Sequence, residues 1–94
     1  MGSSRAIKTG FTSVSGDDVL QKVSSLELAR WQYSSDATGA EHLGPMAEDF
    51  YAAFGLGPDA QHLAPTDLAG VAVVSVKALN DKVAEQKADR KSVV

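Results

Sequence analysis

The stretch HLGPMAEDFYAAFG, residues 42–55, decides the fold of this chain. Its Gly-Pro pair is typical of a helix start, with Gly44 as the N-cap and Pro45 at the first helical position, where a missing N–H costs nothing. Gly55 can adopt the left-handed conformation that ends a helix. The stretch therefore predicts a short helix with a defined beginning and end.

The same stretch holds most of the large apolar side chains of the chain's middle part. Met46, Phe50 and Phe54 recur every four residues, so they form one apolar edge of the predicted helix. Phe50, Tyr51 and Phe54 could pack on the chain's own core or contact a neighbouring chain. Glu48 and Asp49 could act as an acid–base pair. Because adjacent helix positions point about 100° apart, we interpret them as part of a solvated face.

Two elements are predicted upstream. A Ser-x-x-Asp pattern from Ser15 indicates the start of a helix over 17–25. Residues 27–33 alternate between apolar and polar side chains, which is typical of a strand, and a turn-rich stretch connects them to a short strand at 41–43. We expect a hairpin with a loose loop.

A long helix is predicted downstream, over residues 66–90, with Thr66 or Asp67 as its N-cap. Its length of about 37 Å exceeds what so small a domain can cover. Apolar residues spaced alternately by four and three predict a coiled-coil seam facing another chain. The seam residues are Ala72, Val76, Leu79 and Val83.

Together these patterns predict one mainly helical α+β domain, residues 1–94, whose residues 1–14 form an extended arm with a weak strand pattern over 5–14. The chain has no cysteine, two histidines and a net charge of −3. We expect no metal site and no cofactor. Without a basic cluster or a long apolar run, we expect no nucleic-acid partner and no membrane span.

Three segments, which keep the order and spacing that they have in the family, resemble a known family. They are residues 42–55, the helix and Trp-x-Tyr strand over 19–33, and the Thr-Asp to Gly-Val-Ala stretch over 66–72. The chain resembles the C-terminal intramolecular chaperone domain of bacteriophage tail fibres and tailspikes. Family members usually carry Ile where Leu43 stands and Gln where Glu48 stands. The motif residues are His42, Gly44, Pro45, Met46, Phe50, Gly55, Asp67 and Gly70.

The resemblance implies a role and a location. Three copies bring three chains into register and help the preceding β-rich stalk of the same polypeptide to fold, so a homotrimer is expected. The work would take place in the host cytoplasm, on a tail-fibre precursor. The myelin regulatory factor contains a related domain, but the Gly-Pro-Met helix start favours the phage type.

The resemblance also implies a single self-cleavage just after a serine that is followed by Asp, with a lysine five positions after the serine. Ser3 would be the nucleophile and Lys8 its base. Ser4 stands where the family has Asp, and the opening Met-Gly-Ser could derive from an expression vector. A trimerisation cap that does not cleave is the alternative.

A lysine amine accepts a proton only when it is neutral, and burial favours that form. We therefore expect assembly to bury the arm before cleavage. Among the other candidate residues, His42 could hydrogen-bond across a subunit contact or hold the junction between strand and helix. Trp31 and Tyr33 are predicted to lie in the core. Lys82, Glu85 and Lys87 are predicted to flank the seam.

Overall fold

The computed structural model describes the backbone of residues 2–92 and the side chains of residues 2–90. The elements follow one another as a 3₁₀ turn, a helix, two strands, a short helix and a long helix. They are the turn Arg5–Ile7, α1 Gly16–Ser25, β1 Ala29–Trp31, β2 His42–Gly44, α2 Ala47–Phe54 and α3 Pro65–Ser92. This confirms the mainly helical α+β fold.

The first helix begins where its capping pattern predicts. The Ser15 side chain accepts a hydrogen bond of 3.2 Å from the amide of Asp18, one of the amides that a helix start leaves unpaired. Asp17 and Asp18 lie in the first turn, where carboxylates interact favourably with the helix dipole. The helix ends at Ser25.

The predicted hairpin is also confirmed. β1 and β2 are antiparallel, with Ala29 opposite Gly44 and Trp31 opposite His42. The loop between the strands is held at Asp36, whose side chain accepts hydrogen bonds from the backbone amide and the hydroxyl of Thr38 at 2.9 and 2.8 Å. The two strands form a small ribbon.

The predicted start of α2 was wrong by two residues. Gly44 is the last residue of β2 rather than the N-cap, because its pairing with Ala29 holds it in the sheet. Pro45 follows the strand, and Met46 is the N-cap, without a side-chain hydrogen bond. The predicted end is confirmed: Gly55 has φ 61° and its N–H donates to the Tyr51 carbonyl at 2.8 Å.

The long helix begins at Pro65, so neither Thr66 nor Asp67 is its N-cap. Proline suits this position because its fixed φ matches a helix and its missing N–H would have had no partner. The carbonyl of Ala64 accepts from the amides of Asp67 and Leu68 and so opens the helix. The helix continues to Ser92, beyond the predicted end at residue 90.

The strand expected over residues 5–14 is absent from the part of the chain that the structure describes. Arg5–Ile7 forms a 3₁₀ turn instead, and the rest of the arm has no regular structure. A strand needs a partner for its N–H and C=O groups, and the hairpin strands pair with each other. The arm is exposed throughout residues 2–14.

The core lies where α1, α2 and α3 meet, around Val19, Phe50 and Val71. Phe50 is 2% exposed, which places it in the chain's own core. Half-buried apolar side chains surround these three, namely Val23, Leu26, Phe54, Leu63, Leu68 and Val74. α1 also approaches α3 closely at Gly16, where a Cβ would lie 3.1 Å from the Cβ of Ala78.

Candidate functional site

The N-terminal arm forms a 3₁₀ turn between Ser3 and Lys8, the two residues predicted to perform the cleavage. Ser4 precedes the 3₁₀ turn as its N-cap, and its side-chain oxygen accepts from the amide of Ala6 at 3.2 Å. The amide of Ile7 donates to the Ser4 carbonyl, and that of Lys8 donates to the Arg5 carbonyl, both at 3.2 Å. A 3₁₀ turn rises about 2 Å per residue, less than an extended chain, so this geometry shortens the distance between residues 3 and 8.

The turn brings Ser3 and Lys8 into direct contact. Lys8 Nζ donates to Ser3 Oγ at 2.5 Å, across five positions of sequence. A hydroxyl in contact with an amine is the arrangement from which a neutral amine could take the hydroxyl proton. In the single chain both residues are exposed to solvent.

A second contact joins the turn to the residues that follow it, through Arg5 and Phe11. The guanidinium carbon of Arg5 lies 5.2 Å from the centre of the Phe11 ring, within the range of a cation–π interaction. Gly10 has φ 68°, which lets the chain bend back toward the turn. The ring is otherwise in solvent, with 62% of Phe11 exposed.

The other motif residues are not gathered around this pair. His42 and Gly44 belong to the hairpin, Met46 and Phe50 belong to α2, and Gly55 ends that helix. Asp67 and Gly70 lie on the first turns of α3, beside an open groove of about 430 Å³ between α1 and α3. The structure thus brings together the predicted catalytic pair and distributes the remaining motif residues over the fold.

The hairpin carries an aromatic cluster of Trp31, Tyr33 and His42. The ring centres lie 4.9 Å apart for Trp31 and Tyr33, 4.9 Å for Trp31 and His42, and 5.2 Å for Tyr33 and His42. Trp31 is half-buried, and its buried Nε1–H has no acceptor among the described residues. The prediction that Tyr33 lies in the core was wrong, because a two-stranded ribbon leaves it exposed.

The predicted seam lies on the outer side of α3. Val76 is 69% exposed and Leu79 54%, and Ala72 and Val83 are exposed as well. A different stripe of the helix, which includes Val71, Val74 and Ala78, faces the rest of the chain. Of the charges expected beside the seam, Lys82 instead joins Asp17 of α1, with its Nζ 3.1 Å from Oδ1.

Two acidic side chains with local partners were not singled out from the sequence. Hydrogen bonds from the His62 side chain and then from the Gln61 backbone amide lower the pKa of Asp59 below its usual 3.8. The His62 Nδ1–H donates to Asp59 Oδ1 at 2.8 Å. The pKa of Asp36 is lowered first by the backbone amide of Thr38 and then by its hydroxyl. The Asp-x-Thr spacing was the available signal for that turn.

Within residues 2–90, no three acidic or histidine side chains are grouped so that they could hold a metal ion. Among the described helices, none is both long and apolar enough to cross a membrane.

The fold is that of a small α+β domain with a two-stranded hairpin and one long helix, and a lysine donates a hydrogen bond to a serine on its exposed arm. The chain belongs to the family described as the chaperone of endosialidase, whose model matches residues 3–61. The match covers the arm, α1, the hairpin and α2, and it ends before α3 begins. Neither the curated proteins nor the solved structures include a match to this chain. The family supports a chaperone role.

Proposed function

We propose that this chain is an intramolecular chaperone that assembles the end of a phage tail fibre or tailspike. Three copies would hold three chains in register while the β-rich stalk ahead of them folds. Membership of a family described as the chaperone of endosialidase supports the chaperone role. We place the activity in the host cytoplasm, before the fibre joins the virion.

The outer stripe of α3 supports assembly into a homotrimer. Val76 and Leu79 are exposed on a helix of 28 residues, which is about 42 Å long. All side chains over residues 79–90 are exposed, so the distal part of the helix extends beyond the core. Packing three such helices along the seam would bury this stripe.

We further propose that the chain cleaves itself once, at the bond after Ser3. The contact of 2.5 Å between Lys8 Nζ and Ser3 Oγ carries this proposal. Neutral Lys8 accepts the proton of the attacking hydroxyl or water, and the nucleophile adds to the Ser3 carbonyl. The C–N bond to Ser4 then breaks, and the leaving amine of Ser4 takes the proton from Lys8. When the nucleophile is a hydroxyl, water then hydrolyses the ester that it has formed and frees both the hydroxyl and the Ser3 carboxylate.

The position of the bond links cleavage to assembly. Ser3 Oγ cannot attack the carbonyl of its own residue without closing a strained β-lactone ring. The nucleophile therefore comes from outside residue 3, as a water activated by the pair or as the serine hydroxyl of a neighbouring copy. Neighbouring copies would also exclude solvent from Lys8 and favour its neutral form. Cleavage then follows correct assembly.

The test is a chain with a reporter protein fused ahead of residue 1. We expect the reporter to be released by a cut after Ser3, identified by mass spectrometry of both products. Ser3→Ala and Lys8→Ala should each slow the release by at least about 100-fold, the range typical of a positioned acid or base. Ser13→Ala and Lys77→Ala replace exposed residues outside the turn, so they serve as matched controls.

An uncut fusion that still forms trimers would contradict the self-cleavage and leave a trimerisation cap. Release at an equal rate from the Lys8→Ala chain would show that the lysine is not the base. Both results are separate from the chaperone role, which is tested by whether a stalk segment refolds with and without this domain attached.

A further inference from the structure

Ser4 lies between Ser3 and Lys8 in the sequence. Its side chain forms a hydrogen bond with the backbone and none with the side chain of either residue. Its Oγ accepts from the amide of Ala6 at 3.2 Å, and its carbonyl accepts from the amide of Ile7 at the same distance. Both bonds hold the first turn of Arg5–Ile7 closed. Ser4 itself has φ −64° and ψ 145°, the extended conformation of an N-cap residue.

We propose that Ser4 is a positioning residue that holds the Ser3–Lys8 contact by capping this turn. The functional consequence rests on the self-cleavage proposed above. The contact joins side chains five residues apart, which an extended arm would hold far from each other. Such a short turn has few bonds of its own, so the loss of one cap bond removes a large share of what keeps it folded.

The single chain offers this turn little support from elsewhere. Arg5 to Ile7 have no buried residue, and all of residues 2–14 are exposed. Among the described residues, the ring of Phe11 also contacts the turn through Arg5, and such a contact is weak at an exposed site. The Ser4 side chain is therefore the main polar group that sets how often Lys8 reaches Ser3.

A capping role also explains how serine can stand at position 4, where the family pattern has Asp. Serine, aspartate and asparagine are nearly equal as N-caps, whereas alanine is poor. If position 4 acts through the cap, the Ser4 found here can replace the Asp of the family pattern without loss of the turn. A reactant carboxylate could not be replaced in that way, since serine has no charge and a different acidity.

The experiment compares Ser4→Ala, Ser4→Asn and Ser4→Asp with the parent 94-residue chain by NMR, and all four chains carry Val76→Asp on the exposed stripe of α3 so that they stay monomeric and retain Ser3. We expect the cross-peak between the Ser3 β-protons and the Lys8 ε-protons to weaken in the alanine variant. Protection of the Ala6 amide against hydrogen exchange should fall about fivefold there, as for an ordinary lost cap. The asparagine variant restores the cap without adding a charge, so both signals should stay within about twofold of the wild type.

Cleavage after Ser3 is followed with the reporter fusion in the same four position-4 chains, now without Val76→Asp so that they can assemble. We expect release to slow about fivefold in Ser4→Ala and to return in Ser4→Asn and Ser4→Asp. Ser13→Ala, on the same arm but outside the turn, should leave release unchanged. The thermal midpoint should be the same in all chains because Ser4 does not touch the core.

The inference is overturned if Ser4→Ala keeps the wild-type cross-peak and amide protection, or if Ser4→Asn loses them. A requirement for Asp or Ser alone in cleavage, with the turn intact in every variant, would also overturn it and make position 4 a reactant. If no chain cleaves, the self-cleavage proposal fails, and the NMR signals still decide whether Ser4 holds the pair.

Discussion

Phe50 is the side chain on which the core depends most. It is 2% exposed, and its ring centre lies 4.9 Å from that of Phe54, one helical turn further along α2. Val19 of α1 and Val71 of α3 complete the cluster, so this ring of α2 joins the other two helices. A domain of this size has few other groups that could replace such a contact.

Phe50→Ala is expected to lower the free energy of unfolding by about 3–5 kcal/mol, the usual cost of emptying a buried phenylalanine site. That is a large part of the total stability of a small domain, about 5–15 kcal/mol, so the variant should be partly unfolded at room temperature. Urea denaturation monitored by circular dichroism measures the change. Phe11→Ala makes the same substitution at an exposed ring and should change stability by no more than about 0.5 kcal/mol. Equal effects of the two variants would contradict the assigned core.

Asp59 provides a prediction for the pH dependence. Its pKa is lowered mainly by the hydrogen bond from His62, so folding favours the ionised carboxylate. A carboxyl with a lowered folded pKa stabilises the fold above the unfolded value of 3.8, and this contribution is lost as the pH falls through the lowered value. His62→Ala should move the pKa of Asp59 back toward 3.8, as read from the carboxyl ¹³C shift. Asp36, held by Thr38, is the internal control and should not move.

α3 carries two apolar stripes, and only one of them packs against the rest of the single chain. Val71, Val74 and Ala78 lie on the packed stripe, while Val76 and Leu79 lie on the exposed one. The helix rotates about 100° per residue, so residues three and four apart share a stripe and their neighbours fall between. The exposed stripe therefore remains available to a second copy without any change in the core.

Substitution of Gly70 tests whether contacts within the single chain restrict this position of α3. A Cβ built there meets no atom within 4 Å. Because glycine in a helix interior is less stable than alanine, Gly70→Ala should raise the free energy of unfolding by about 0.5–1 kcal/mol. Urea denaturation with an unchanged m-value is the measurement.

Gly16→Ala is the contrasting variant on α1. Its new Cβ would lie 3.1 Å from the Cβ of Ala78, so α1 or α3 must shift to accept it. We expect this variant to gain less stability than Gly70→Ala. A destabilised Gly70→Ala chain would instead point to a constraint at that position that comes from a neighbouring copy.

The proposed function predicts that the chain forms a homotrimer in solution. Light scattering across a dilution series should give a mass near three times the 9.8 kDa of the chain. Val76→Asp places a carboxylate on the exposed stripe, where three copies would bury it, so we expect monomers. Because Val76 is exposed in the single chain, the helix content of that monomer should stay unchanged.

Ala84→Asp is the control for that variant. Ala84 is exposed on the same helix and lies about 80° around its axis from Val76, away from the seam. The trimer mass should persist with this substitution. A wild-type chain that is monomeric at all concentrations would contradict assembly by the helix seam, and trimers of Val76→Asp would place the contact on another surface.

The sequence alone determined the elements that depend on neighbouring residues. The Ser15 cap, the left-handed Gly55 and the hairpin follow from side chains within a few positions, because caps and turns are closed by local hydrogen bonds. The spacing of Ser3 and Lys8 entered only through a family resemblance, since a serine and a lysine five apart have no distinctive pattern of their own.

Only the tertiary structure decided which distant segments pair with each other and which side chains become buried. Gly44 belongs to β2 because Ala29, fifteen positions earlier, pairs with it. Tyr33 is exposed because the ribbon offers it no second layer, although its alternation matched that of a core residue. The 3₁₀ turn replaced a predicted strand because a strand needs a partner and this arm has none among the described elements. Burial and pairing depend on which surfaces meet, and a local pattern does not contain that information.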